Sequence, residues 1–186
     1  MNLNSIVVEK DGRILRGLAL PFGEHAIIAA SDGSLYAERF DEESIPSLPQ
    51  NVPLLISHNR AAAPAGRVLR TAQSSVGLGV EAELVGTDSE IEGWQRRFAA
   101  GLMVGLSIAF RAGRPKWERP GRGMPPIKLI RDAEIEEISL VSWPAYKGAS
   151  VTRLARRSAG AEEELLFSMT AIGDTKRYLG RHDEKN

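Results

Sequence analysis

A general base that works near neutral pH is most simply a histidine, and the sequence offers three: His25, His58 and His182. His182 sits in a polar terminal stretch, and His25 follows Gly23-Glu24 in a predicted loop. His58 differs from both. It closes the apolar run Val52–Ser57 and is followed by Asn59-Arg60. A strand end beside a loop can hold a side chain both fixed and exposed. A nucleophile is sought next. Ser107 stands in Gly105-Leu106-Ser107-Ile108-Ala109-Phe110. In a strand of period two, small Gly105 and Ala109 share its face, while Leu106, Ile108 and Phe110 take the other as core. Open space is left around the hydroxyl. A carboxylate completes the set. In Glu134-Ile135-Glu136-Glu137-Ile138-Ser139-Leu140-Val141, alternation puts Glu137, Ser139 and Val141 on one face and Glu136, Ile138 and Leu140 on the other. An acid leading an apolar strand needs a partner if it is buried. Base, nucleophile and carboxylate are the parts of a hydrolytic triad. Each also has a plain structural reading: an ordinary strand-end histidine, a serine on a lightly packed face, an exposed edge-strand glutamate.

Other chemistries find little in the sequence. There is no cysteine, so disulfides, a thiol nucleophile and thiolate metal sites are absent. Paired histidines at zinc spacing, a phosphate-binding loop and a dinucleotide fingerprint are all missing, and neither metal nor cofactor is expected. The segment around Ser107 resembles a G-x-S-x-G elbow with Ala last, but that fold needs its acid and histidine after the serine, and the later histidine is His182 in the tail. Lys plus Arg and Asp plus Glu balance at 24 each. No global basic field is available for nucleic acid, and no nucleic-acid partner is expected. Apolar runs such as Gly17–Phe22 are far shorter than the roughly 20 residues that span a bilayer. Met1–Lys10 lacks a secretory pattern, so a soluble cytosolic protein without a membrane partner is expected.

The elements that must position these residues read as short strands with turn punctuation. Strands are predicted at Ser5–Val8, Arg13–Phe22, Ala26–Ala30, Leu35–Phe40, Val52–Ser57, Gly66–Thr71, Val76–Val85, Val104–Arg111, Ile127–Val141 and Ser150–Leu154. Asp41–Leu48 is predicted as a short helix, capped by Asp41 and stopped by Pro49. The strongest helical signal follows Thr87 or Asp88, with Ile91, Trp94, Phe98 and Leu102 on one stripe, Arg96 and Arg97 opposite, and Gly101 as stop. Ala112–Pro126 holds four prolines and three glycines and is predicted as a loop; Arg111–Arg131 carries seven basic residues against one acid. That loop is either a solvated segment or one that docks a partner. From Ala155 the composition shifts to an acidic block, then Leu165-Leu166-Phe167 and a charged end. The expected organisation is a β-barrel domain over residues 1–154 and a helical, charged tail over 155–186. With many strands, one long helix and no βαβ rhythm, the fold class is mainly β.

Taken in order, these segments resemble the prohead maturation proteases of HK97-like tailed phages. The likeness runs from Gly17 to Arg153. It comprises Gly17-Leu18-Ala19-Leu20-Pro21-Phe22, then Glu38-Arg39-Phe40, then Val52-Pro53-Leu54-Leu55-Ile56-Ser57-His58-Asn59. Pro64-Ala65-Gly66, Gly77-Leu78 and a helix follow, before the Ser107 segment and Glu137-Ile138-Ser139-Leu140-Val141-Ser142-Trp143-Pro144-Ala145. The resemblance implies a serine endopeptidase with His58 as base, Ser107 as nucleophile and Glu137 as third member. It implies a closed antiparallel β-barrel ringed by a few helices, as in the herpesvirus assembly proteases, where a second histidine takes the place of Glu137. Members often carry Asp after the histidine, where this chain has Asn59. The implied partners are the scaffold protein or the scaffolding segment of the major capsid protein, with a homodimer by analogy with the herpesvirus enzymes. The implied location is the bacterial host cytoplasm, inside the prohead, with self-digestion beyond residue 155. The rival reading is a non-enzymatic barrel that binds capsid protein as a scaffold or chaperone. It makes no demand on His58, Ser107 and Glu137, so their geometry separates the two.

Overall fold

The computed structural model describes residues 7–8, 12–49, 51–121 and 123–155. Within them the apolar runs become twelve strands. They are β1 (Val7–Val8), β2 (Ile14–Pro21), β3 (His25–Ala29), β4 (Leu35–Arg39), β5 (Pro53–Ile56) and β6 (Gly66–Ser74), then β7 (Gly77–Leu84), β8 (Gly105–Arg111), β9 (Lys116–Glu118), β10 (Ile127–Leu129), β11 (Glu134–Val141) and β12 (Ser150–Ala155). The predicted tail lies outside the described residues.

Seven strands close into a barrel in the order β12-β2-β7-β6-β5-β11-β8, and Ser150 of β12 pairs with Gly105 of β8 to complete the ring. Strand β1 adds to β12 from outside, parallel to it. The barrel matches the expected mainly-β fold, but it is not wholly antiparallel. Strands β5 and β11 run parallel, while the other six pairings are antiparallel. The reason is parity: directions cannot alternate all the way round an odd-membered ring, so at least one pair must run the same way. The long excursion from β5 through β6, β7, a helix at Asp88–Ala99 and β8 supplies the crossover that a parallel pair requires.

Leu15, Leu54, Leu78, Leu106, Ile138 and Leu140 fill the interior, each wholly buried. The closure point is tight. A Cβ on Gly105 would lie 2.7 Å from Pro144 Cδ, and one on Gly17 would lie 2.8 Å from Leu106 Cδ1, so both positions need glycine. Every residue of β2 is buried, including Arg16, whose Nε donates to Glu81 Oε2 at 2.8 Å. Arg70 grips the other oxygen of Glu81 at 3.0 Å. Removing one partner of a buried charge pair leaves the other poorly compensated, so Glu81→Ala should destabilise the domain by about 3–5 kcal/mol. Urea unfolding followed by circular dichroism measures this, and a midpoint equal to the wild type would contradict it.

Helix α1 (Asp88–Ala99) takes Thr87, one of the two expected cap residues, as its N-cap and closes a capping box with Glu90: Thr87 Oγ1 accepts from Glu90 N–H, and Glu90 Oε2 accepts from Thr87 N–H at 2.7 Å. Ile91 and Phe98 are buried, and Arg97 stacks over Trp94. Leu102 is exposed instead of continuing the stripe, because the helix stops at Ala99 and Gly101 turns away at φ +71°.

Three expectations are corrected. Asp41–Leu48 forms only one 3-10 turn, Glu42–Ser44, because Pro46 drives Ile45 to extended backbone (φ −119°, ψ 92°). Ile127–Val141 is two strands, β10 and β11, parted by a bend at Asp132 with φ 51°. The predicted loop contains β9, which pairs with β10 to complete a second sheet, β3-β4-β10-β9. Phe40 seats that sheet on the barrel, meeting Phe110 and Tyr146 edge-on at centroid separations of 5.0 and 5.9 Å.

Candidate active site

The three strands that carry the candidate residues are neighbours, in the order β5-β11-β8. Register does most of the positioning. Ser139 of β11 lies opposite Ser107 of β8 on one side and beside Leu55 of β5 on the other. Because Leu106, Ile138 and Leu140 face the interior, Ser107, Glu137 and Ser139 share the outer face of the barrel. The alternation read from the sequence holds for Glu137 and Ser139 but fails at Glu136, which does not join Ile138 and Leu140 in the interior and instead pairs with exposed Arg60 and Arg111. A bulge between Ile135 and Glu137 resets the pairing, so that Glu137 faces Ala109. Bulges of this kind re-aim side chains beside functional sites.

His58 comes from the turn that ends β5. Asn59 N–H donates to Ile56 O at 2.9 Å, and both central residues have positive φ, 49° at Ser57 and 59° at His58, as in a type I′ turn. Left-handed backbone at non-glycine residues costs roughly 1–3 kcal/mol each and persists only where the surroundings enforce it. Two hydrogen bonds to β11 do so: Ser57 N–H to Leu140 O at 2.9 Å, and His58 N–H to Ser139 Oγ at 3.1 Å. The turn carries the imidazole out over β11 and toward β8.

The imidazole then bridges the other two residues. His58 Nε2 lies 3.0 Å from Ser107 Oγ, and His58 Nδ1 lies 2.5 Å from Glu137 Oε1. The Glu137 side chain is 2% exposed and that of His58 is 42% exposed. The imidazole therefore has solvent on one side and a buried carboxylate on the other. The second carboxylate oxygen, Oε2, accepts the hydroxyl of Ser139 at 2.7 Å. Ser139 is wholly buried. The sequence reading placed it on the face of Glu137 and gave it no role; its signal was a lone hydroxyl in the apolar run Ile138–Val141.

Glu136, the adjacent acid, takes no part in this array. It accepts from Arg60 at 2.6 Å and lies 2.8 Å from Arg111 Nε. The hydrogen bond from Arg60, aided by the charge of Arg111, holds its carboxyl below the usual glutamate range. His25 is exposed on β3, apart from the array, and His182 lies outside the described residues. Among the described residues, no helix is long and apolar enough to cross a membrane.

An imidazole held between a serine hydroxyl and a buried carboxylate is the arrangement of a serine hydrolase, and comparison with known families agrees. Residues 3–164 match the family model of the caudovirus prohead serine proteases. The chain belongs to that family. Membership makes it a prohead serine protease and does not favour a non-enzymatic scaffold. No curated protein matches the sequence. Solved structures of the Kaposi's sarcoma herpesvirus protease match the prohead protease in fold. One, in complex with an allosteric inhibitor, has a TM-score of 0.51 at 12% identity, covering 87% of this chain and 89% of that one. Another, in complex with a dimer disruptor, has a TM-score of 0.52 at 13% identity, covering 88% and 90%. At that identity the likeness is one of fold.

Proposed function

We propose that this prohead protease is an endopeptidase in which Ser107 is the nucleophile, His58 the general base and Glu137 the third member of the triad. Its substrate is the scaffold protein or the scaffolding segment of the major capsid protein, cut within the assembled prohead. The observation that supports the reading best is the bridging imidazole, 3.0 Å from the Ser107 hydroxyl and 2.5 Å from the Glu137 carboxylate. His58 Nε2 takes the proton as Ser107 Oγ bonds to the peptide carbonyl carbon, then gives it to the departing amine as the C–N bond breaks. Water enters by the same route in reverse and frees the acyl group. Glu137 accepts the Nδ1 proton throughout, which fixes the tautomer and stabilises the imidazolium. The proposed setting is the cytoplasm of the bacterial host, with the protease packaged in the particle and acting as a homodimer. Co-expression with the capsid protein of the same particle tests the proposal. A shortened capsid protein is expected, and an unshortened one beside a folded protease would overturn it.

The chain should also cut itself beyond Ala155. Arg156-Arg157 and the small residues Ser158-Ala159-Gly160 follow the last described barrel strand, where a cut leaves every described barrel pairing intact. Intact mass spectrometry should find the active protein truncated in this stretch and Ser107→Ala full length. An intact C-terminus in both would refute this.

A further inference from the structure

We infer that Ser139 is a positioning residue of the site, the single hydroxyl that locks the backbone of the base to the carboxylate that orients it. The inference rests on the triad reading above. Ser139 Oγ accepts the backbone N–H of His58 at 3.1 Å and donates its proton to Glu137 Oε2 at 2.7 Å. Both bonds converge on one wholly buried atom. Each does separate work. The first holds His58 at φ 59°, left-handed backbone that is uncommon outside glycine, and so sets where the imidazole starts. The second occupies Oε2, which leaves Oε1 to face Nδ1 and keeps the carboxylate from rotating. Glu137 and His58 are thus bonded twice, once directly and once through Ser139. Both strand neighbours of Ser139 belong to the same neighbourhood: Ser107 opposite on β8, and Leu55 near the end of β5. A strand-centre serine that served packing alone would have no need to bond both partners.

The loss of one hydrogen bond to a charged group corresponds to a rate effect of about ten- to a hundredfold. The probe is a fluorophosphonate. Ser107 Oγ bonds to its phosphorus, fluoride leaves, and the proton passes to His58, so the labelling rate reports the nucleophile without a known peptide substrate. Ser139→Ala should fold, label about ten- to a hundredfold more slowly, and show a labelling–pH profile displaced upward in pH from that of the wild type. The sign follows from the charges. Without the Ser139 donor the Glu137 carboxylate is more basic and favours the imidazolium more, so the base becomes available at higher pH. The Arg60–Glu136 pair, and Arg111 beside it, are the same in both proteins. A purely structural role would lower the amount of competent enzyme and leave the midpoint in place.

Ser139→Cys keeps the side-chain shape at a slightly larger volume with a weaker donor, and its thiol, the only one in the chain, does not capture the probe; it decides the matter if the alanine variant does not fold. Wild-type labelling with an unmoved midpoint in either folded variant would overturn the inference. Ser107→Ala keeps the two readings apart: continued labelling there overturns the triad, whereas abolished labelling there beside normal labelling of Ser139→Ala overturns only the role of Ser139.

Discussion

Ser107→Ala leaves a folded barrel that no longer shortens the capsid protein. The expected fall in rate is at least about 10⁴-fold, because without the nucleophile the rest of a triad contributes almost nothing on its own. Folding should be spared. Ser107 is partly exposed on the outer face of β8, and its hydroxyl bonds His58. Its methyl replacement meets Ala109 on the same strand and Ser139 across the register, both small. A surface change of this kind alters stability by about 0.5 kcal/mol or less. The measurement pairs capsid processing on gels with a thermal melt of the variant. Near wild-type processing would mean that the hydroxyl is not the nucleophile and that the 3.0 Å contact with His58 is structural. A lost melt would transfer the effect to folding and contradict the spared-fold half of the expectation.

What the sequence makes legible, and what it hides, follows from the range of each determinant. Period-two alternation is local, so it places Ser107 between Gly105 and Ala109 and sets Glu137 and Ser139 on one face. Composition around Thr87 and Gly101 is local too, and it yields the helix and both its ends. The His58 turn is not legible in this way. Its two positive-φ positions are Ser57 and His58, with neither glycine nor asparagine to announce them, and the conformation is imposed by bonds to Ser139 and Leu140 some eighty residues later. The parallel pairing of β5 with β11 is equally non-local, a consequence of closing an odd ring. Strand β9 escapes notice because prolines and glycines surround it, and it exists only because β10 offers a partner. The bulge before Glu137 leaves no mark in the residue types, since Glu136 and Glu137 are identical side chains whose environments differ only once β8 and the His58 turn are in place.

That pair of glutamates allows the assignment to be tested in a single strand. Glu137→Gln should keep the fold and lower the rate by roughly 10²–10⁴-fold, less than the serine variant. The geometry says why an amide cannot substitute. The carboxylate accepts two hydrogen bonds, from His58 Nδ1–H at Oε1 and from the Ser139 hydroxyl at Oε2. An amide has one acceptor oxygen and one NH₂. If the oxygen faces His58, the NH₂ confronts the Ser139 hydroxyl, whose own proton then has no carboxylate to bind. If the oxygen faces Ser139, the NH₂ confronts Nδ1 and favours the tautomer protonated on Nε2, which cannot take the proton of Ser107. Either way the negative charge that stabilises the imidazolium is gone. Glu136→Gln, one residue away, should change the rate by no more than about twofold, because its partners Arg60 and Arg111 are exposed and such pairs contribute little. Matched rates of capsid cleavage for the two variants, with melts to confirm folding, decide between the acids. A damaging Glu136→Gln beside a silent Glu137→Gln would place the wrong carboxylate in the site. Silence in both would reduce the machinery to Ser107 and His58, with the buried carboxylate holding the turn in place and taking no part in the proton transfer.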